Sequence, residues 1–160
     1  MLKRSFPPVV DDRTRLILLG SLPGEQSLAR GQYYANPRNQ FWALMSGVLD
    51  TDLVTLGYDD RLRALLAAGV GLWDTIGSAV REGSLDAAIR DHAPNALPEL
   101  AGRLPSLRAF AFNGGKSAAI GAKALAGTPL RLIALPSSSP AYTLSFAEKQ
   151  AAWMKLKAVL

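Results

Sequence analysis

The 160-residue sequence has no cysteine and a single histidine, His92. Those shortages exclude disulfides, thiol nucleophiles, iron–sulfur clusters and the usual zinc sites, and no metal or cofactor is expected. One position is left for a histidine base. His92 stands in a polar stretch, RDHAPN, far from any strand end, so it reads as a surface residue and a Ser–His–Asp triad is not expected. Runs of about eighteen apolar residues are also missing, so no membrane-spanning helix is expected. The opening MLKRSFPPVVDD has prolines and acids where a signal peptide needs an apolar stretch, and residues 1–12 read as a loosely ordered lead-in. Lack of cysteine fits a cytoplasmic protein. The basic residues are not gathered into a run. Eighteen Lys and Arg against 13 Asp and Glu give a formal charge of +5, which favours a polyanionic partner, nucleic acid above all. Spread as they are, they describe a bland basic surface equally well.

An apolar share of 49% without low-complexity tracts indicates a folded domain. Four segments read as strands covered on both faces: RLILLGS (15–21), GVGLWDTI (69–76), LRAFAFNGG (107–115) and LRLIALPSSSP (130–140). Helical patterns lie between them, in QFWALMSGVL, DDRLRALLAAG, SLDAAIRDH, NALPELAGRL and GKSAAIGAKALAG. SFAEKQAAWMKLKAVL closes the chain, with Ser145 and Glu148 spaced as a capping box. The alternation predicts an α/β domain over 1–160 with a mainly parallel sheet. Ligands of such sheets bind beyond the carboxyl ends of the strands, and GSLPG, WDT, FNGG and LPSSSP all fall there.

Each motif has two readings. FNGGKSA lacks the spacing of a phosphate loop, since Phe110 stands where its first glycine belongs. It opens a helix, and Lys116 could hold a phosphate there. GSLPG does not match G-x-S-x-G. In LPSSSPA the serines are either a rigid turn or small donors for an anionic backbone. Asp74 either caps a turn or meets a ligand. Asn39 precedes a helix, where an N-cap belongs, and Phe41 and Trp42 suit that helix's core. Yet YYANPRNQFW sets four rings beside amides and Arg38, on the rim where a ligand would bind.

Taken together, GSLPGEQSLARGQYYANPRNQFW, GLWDTIGSAVREGSLDAAI, FNGGKSA and LPSSSPA resemble, in order and over nearly the whole chain, the uracil-DNA glycosylase superfamily. The nearest branch is the hypoxanthine-DNA (deoxyinosine) glycosylases, followed by the mismatch-specific uracil enzymes. The resemblance implies a three-layer α/β/α domain around a four-stranded, mainly parallel sheet. It implies a monofunctional enzyme that flips a deaminated base (hypoxanthine, with uracil and xanthine as further candidates) out of DNA and hydrolyses its glycosidic bond, and a monomer suits an enzyme that scans DNA. Carried over residue by residue, Asn39 holds the attacking water and Phe41 stacks on the base. Asp74 reads the base edge beside Gly20 and Ser21. Arg38 and Lys116 meet phosphate, Ser137, Ser138 and Ser139 grip the strand, and Tyr142 is a candidate wedge. Two positions depart from the family pattern. Leu22 stands where many members carry Asp or Asn, and Leu135 where a histidine is familiar. A binding module of the same fold, with catalysis weakened, is the alternative. A metal-dependent nucleotide hydrolase would need clustered carboxylates, and Asp74 alone qualifies.

Overall fold

In the computed structural model, which describes residues 1–160, the chain runs through β1 (Leu2–Arg4), β2 (Leu16–Gly20), α1 (Glu25–Arg30), α2 (Phe41–Leu49) and α3 (Tyr58–Ala67). It continues through β3 (Val70–Asp74), β4 (Ile76–Val80), β5 (Arg90–Pro94), α4 (Leu97–Gly102) and β6 (Ala109–Asn113). The last elements are α5 (Gly115–Ala124), β7 (Arg131–Leu135) and α6 (Phe146–Trp153), followed by a 3-10 turn over Met154–Val159.

The four apolar runs form one sheet in the order β3-β2-β6-β7, parallel at every pairing. Period-two alternation sends Leu16, Leu18, Leu72, Ala111 and Ile133 to one face, where they pack on Phe41, Met45 and Leu65 of α2 and α3 and on Trp153 of α6. Ile17, Leu19, Phe110 and Phe112 point the other way, onto Leu97 and Leu100 of α4 and onto Leu125. Helices therefore cover both faces, as an α/β/α architecture requires. Strands buried twice explain why the runs are continuously apolar rather than alternating. At the β7 edge the second layer runs out, leaving Leu132 and Ala134 exposed.

Three expectations change. GVGLWDTI is two strands, not one: the chain leaves the parallel sheet after Asp74 and enters β4, which belongs to a three-stranded antiparallel sheet, β1-β4-β5. SLDAAIRDH is not a helix. A 3-10 turn at Asp86–Ala88 leads into β5, because Ile89 between them buries against Ile76 and Ala79 while β5 itself stays exposed on β4. The lead-in is not loose either. Leu2–Arg4 pairs with Ser78–Val80, Val9 and Leu72 exchange backbone bonds of 2.9 Å, and Trp73 Nε1 donates to Phe6 O at 2.8 Å. An edge strand of the main sheet offers unpaired groups, and this segment satisfies them. Gly71 is what lets it come close, since a Cβ there would stand 2.7 Å from Val9 O.

Candidate active site

The carboxyl ends of β2, β3 and β6 and the loop after β7 surround a cleft of about 660 Å³, of the size that holds a small-molecule group. Its first wall is the GSLPG loop, whose position is set by backbone and by one buried arginine. Thr75 N and Ile76 N donate to Gly20 O (2.8 Å) and Ser21 O (3.0 Å). Arg81, 1% exposed, donates to the carbonyls of Leu22, Pro23 and Gly83. Ser21 Oγ donates to Asp86 Oδ1 at 2.5 Å, which draws the 84–87 turn onto the same rim. Leu22 anchors the loop by packing on Ile76, Ala79 and Ile89. An acid at that position would be set against this apolar cluster.

The second wall is the YYANPRNQFW segment. Tyr34 adopts the left-handed region at φ 54°, which few non-glycine residues occupy and which often marks a functional turn. Its ring lies flat on Phe41, with centroids 3.9 Å apart and planes 9° from parallel. Phe41 is fully buried, held edge-on by Trp42 and Trp153, and does not line the cleft. Of this stacked pair it is Tyr34 that lines the cleft, and Phe41 supports it. Phe41, expected to stack on a base, has that face occupied by Tyr34 in this structure. Asn39 lines the cleft and stands one residue before Gln40, which is the N-cap of α2 in its place. Its Oδ1 accepts from Phe41 N at 2.9 Å, while its Nδ2 donates to no protein group. The capping and ligand readings thus use different atoms of one amide.

Asp74 closes the floor at 2% exposure. Its Oδ2 has no hydrogen-bond partner, and neither does the buried Tyr33 hydroxyl. Burial pushes its carboxyl up to about 8, against the pull of the nearby Tyr33 hydroxyl, which lies outside hydrogen-bond geometry; the negative charge of Asp86 adds to the rise and Arg81 opposes it. At neutral pH Asp74 is therefore mostly a neutral acid, with one donor and one acceptor to present. Gly20 is required beside it: a Cβ would stand 2.7 Å from Asp74 Oδ1 and 3.2 Å from the Tyr34 hydroxyl.

The third wall is the serine loop. Asn113 Nδ2 donates to Ser138 Oγ and Ser138 N donates back to Asn113 Oδ1, both at 2.9 Å. Ser138 O in turn accepts from Gln40 N at 2.9 Å, so the loop is joined to the turn that carries Asn39. Ser138 is 1% exposed and spends its hydrogen bonds inside the protein; Ser137 and Ser139 stay accessible on the rim. Gly114, at φ 99°, lets Ser137 lie 3.2 Å from where a Cβ would be.

A profile of the family described as the uracil DNA glycosylase superfamily matches residues 7–159. The chain belongs to that superfamily. It is a DNA glycosylase by that membership, and the cleft is where its fold gathers polar groups. A protein called hypoxanthine DNA glycosylase from Methanosarcina acetivorans is 37% identical over 153 residues, 96% of each chain. Another of that name from Methanosarcina barkeri is 42% identical over 117 residues, 73% of this chain and 74% of its own. A solution NMR structure of a candidate uracil DNA glycosylase from Methanosarcina acetivorans superposes with a TM-score of 0.89 at 35% identity, covering 99% of both chains.

Within this glycosylase the cleft brings together Gly20, Ser21, Arg38, Asn39, Asp74, Ser137, Ser138, Ser139 and Tyr142. Lys116 is not among them; it stands in the first turn of α5, outside the lining. Leu135 is buried in the main core, so no side chain there reaches the cleft. His92 lies exposed on β5. Tyr34, Asn113 and Asp86 line the cleft but were not singled out as site residues from sequence. Asn113 ends an apolar strand, a signal that could have marked it. For Tyr34 the aromatic doublet pointed to the region but not to which ring faces out.

Proposed function

We propose that this glycosylase removes hypoxanthine from DNA by monofunctional hydrolysis of the C1′–N9 bond of a flipped deoxyinosine. The observation that carries the reading is one cleft lined jointly by the Asn39 amide, the Tyr34 ring and the Asp74 carboxyl. The names of the two Methanosarcina relatives support the choice of base.

In this reading Tyr34 is the platform for the base, backed by Phe41. Asp74, as a neutral acid, accepts from N1–H of hypoxanthine and donates to O6, where negative charge develops as the base leaves. Asn39 orients water at C1′ through Nδ2 and the free lone pair of Oδ1. A neutral amide takes no proton at physiological pH. Water therefore adds to an oxocarbenium-like sugar and its proton passes to solvent. The base departs with the bond's electron pair and is protonated afterwards. Arg38, Ser137, Ser139 and Tyr142 meet the strand along the rim. Lys116, outside the cleft, is left with at most a distant phosphate. The enzyme acts as a cytoplasmic monomer in this reading; no helix of the chain is long and apolar enough to cross a membrane.

The test is strand nicking after alkali on duplexes that differ only in deoxyinosine, deoxyuridine or deoxyxanthosine. Nicking at deoxyinosine is the expected result. Nicking confined to deoxyuridine moves the substrate to uracil, and binding without nicking of any strand makes the chain a damaged-base binding module.

A further inference from the structure

Besides Arg81, one more buried cation lies near the cleft, and neither the sequence motifs nor the mechanism above uses it. Lys149, on α6, is 1% exposed. Its Nζ donates to Gln40 Oε1 at 2.9 Å and to Ser139 O at 3.2 Å, and it sits 5.6 Å from the centre of the Tyr142 ring. No carboxylate pairs with it: the three ion pairs of the chain lie elsewhere, and neighbouring Glu148 is held at the helix start by Ser145. Burial lowers the ammonium's pKa, and no nearby acid opposes that shift. A charge held out of water without a counter-ion is costly, so an unpaired lysine here needs a reason.

The loop above it supplies one. Ser139 N donates to Ser137 Oγ, and Ala141 N donates to Ser139 Oγ, each at 3.1 Å. Each hydroxyl oxygen thus has its acceptor side engaged inside the turn, leaving its O–H proton for an outside acceptor. Two such hydroxyls on the rim of a glycosylase cleft, in a turn whose Ser139 carbonyl accepts from the buried cation, suit an anion with several oxygens.

We infer that Lys149 is the counter-charge for a DNA backbone phosphate seated on the 137–142 turn, and that by bonding Gln40 and Ser139 it ties strand grip to the Asn39 turn. This rests on the glycosylase reading. Lys149 is a positioning residue: it does not touch the reacting atoms. Tyr142, half exposed, covers the third donor of the ammonium, so a Tyr142 side chain that moves onto the duplex uncovers it.

The experiment measures affinity for a deoxyinosine duplex against salt, in an Asn39→Ala background where cleavage is suppressed, with Lys149→Met, Lys149→Gln and Lys149→Arg added. Loss of one phosphate contact is expected to flatten the slope of log K against log salt by about 0.9 in the Met and Gln chains. Their affinity at low salt is expected to fall by about tenfold. Arginine is expected to keep the slope. Glutamine retains a donor for Ser139 O, so it carries the test if the methionine chain does not fold. Weaker binding with an unchanged slope in a folded uncharged variant overturns the inference, because the lysine then only props the loop. A parent chain that nicks deoxyinosine separates that failure from a failure of the glycosylase reading; one that neither nicks nor binds overturns both.

Discussion

At Asn39 the amide oxygen is held by the Phe41 N–H, so the side chain has a fixed direction before any substrate arrives. Replacing it by alanine removes a water-positioning group and a helix-start bond together. Asn39→Ala is expected to slow single-turnover release of hypoxanthine on the order of a hundredfold or more. It is also expected to cost about 1 kcal/mol in a denaturant melt. Asp74 makes a different prediction, tied to pH. Its folded pKa of about 8 lies above the ordinary carboxylate value, so between roughly pH 4 and 8 the folded state binds a proton that the unfolded state has lost. Stability from this group therefore declines as pH rises through that window and is undiminished below it. Asp74→Asn keeps one donor and one acceptor without the charge. It is expected to melt several degrees above the parent at pH 8, with the gap closing towards pH 4. Activity of the parent is expected to fall above about pH 8, as the ionised carboxylate faces a departing anion, while the Asn chain keeps its rate there. Gly20→Ala is expected to lose at least tenfold in rate with the fold retained in circular dichroism, since its methyl group displaces Asp74 or Tyr34.

Among the elements, the two strand-end loops of the cleft are held by different devices. The GSLPG loop hangs on Arg81, whose guanidinium meets only backbone carbonyls. The serine loop hangs on the reciprocal amide pair between Asn113 and Ser138. Ser138→Ala leaves the buried Asn113 Nδ2 with only a long contact of 3.4 Å to the Tyr34 hydroxyl. The expected cost is about 1–3 kcal/mol in a chemical melt. The β1 segment and the strap to Val9 matter in another way. They cover the open edge of β3 and pin Trp73 beside Asp74. A chain lacking residues 1–9 is expected to be less stable and more prone to self-association in light scattering, because that edge is then unpaired.

Across the whole molecule, charge and shape act together. A net charge of +5 draws the protein towards any nucleic acid, and the cleft at one sheet end gives the encounter a place to finish. The positive groups that matter there do not form a run in sequence. Lys149 lies more than a hundred residues from the turn that carries Arg38, and bonds Gln40 at its end because α2 and α6 pack side by side on one face of the sheet. Parallel strand order puts every loop with unusual chemistry on one edge, which is why one cleft collects them all.

Much of this was legible in the chain itself. Continuous apolar runs bounded by glycine and proline marked the four core strands, since a strand covered on both faces must be apolar throughout. The Ser145–Glu148 box marked the start of α6, where Glu148 N bonds Ser145 Oγ. Local chemistry of that kind is written in neighbouring residues. The antiparallel sheet was not legible: β1, β4 and β5 are short and partly or wholly exposed, and β1 finds its partners in β4 74 to 78 residues away. Nor could sequence tell Tyr34 from Phe41, because both are rings at a helix entry and only the packing of Trp42 and Trp153 buries one of them. The protonation of Asp74 and the unpaired charge of Lys149 belong to the tertiary structure alone. Both come first from burial away from water, beside Asp86 for the one and without a carboxylate for the other, and a linear sequence does not record what surrounds a residue in space.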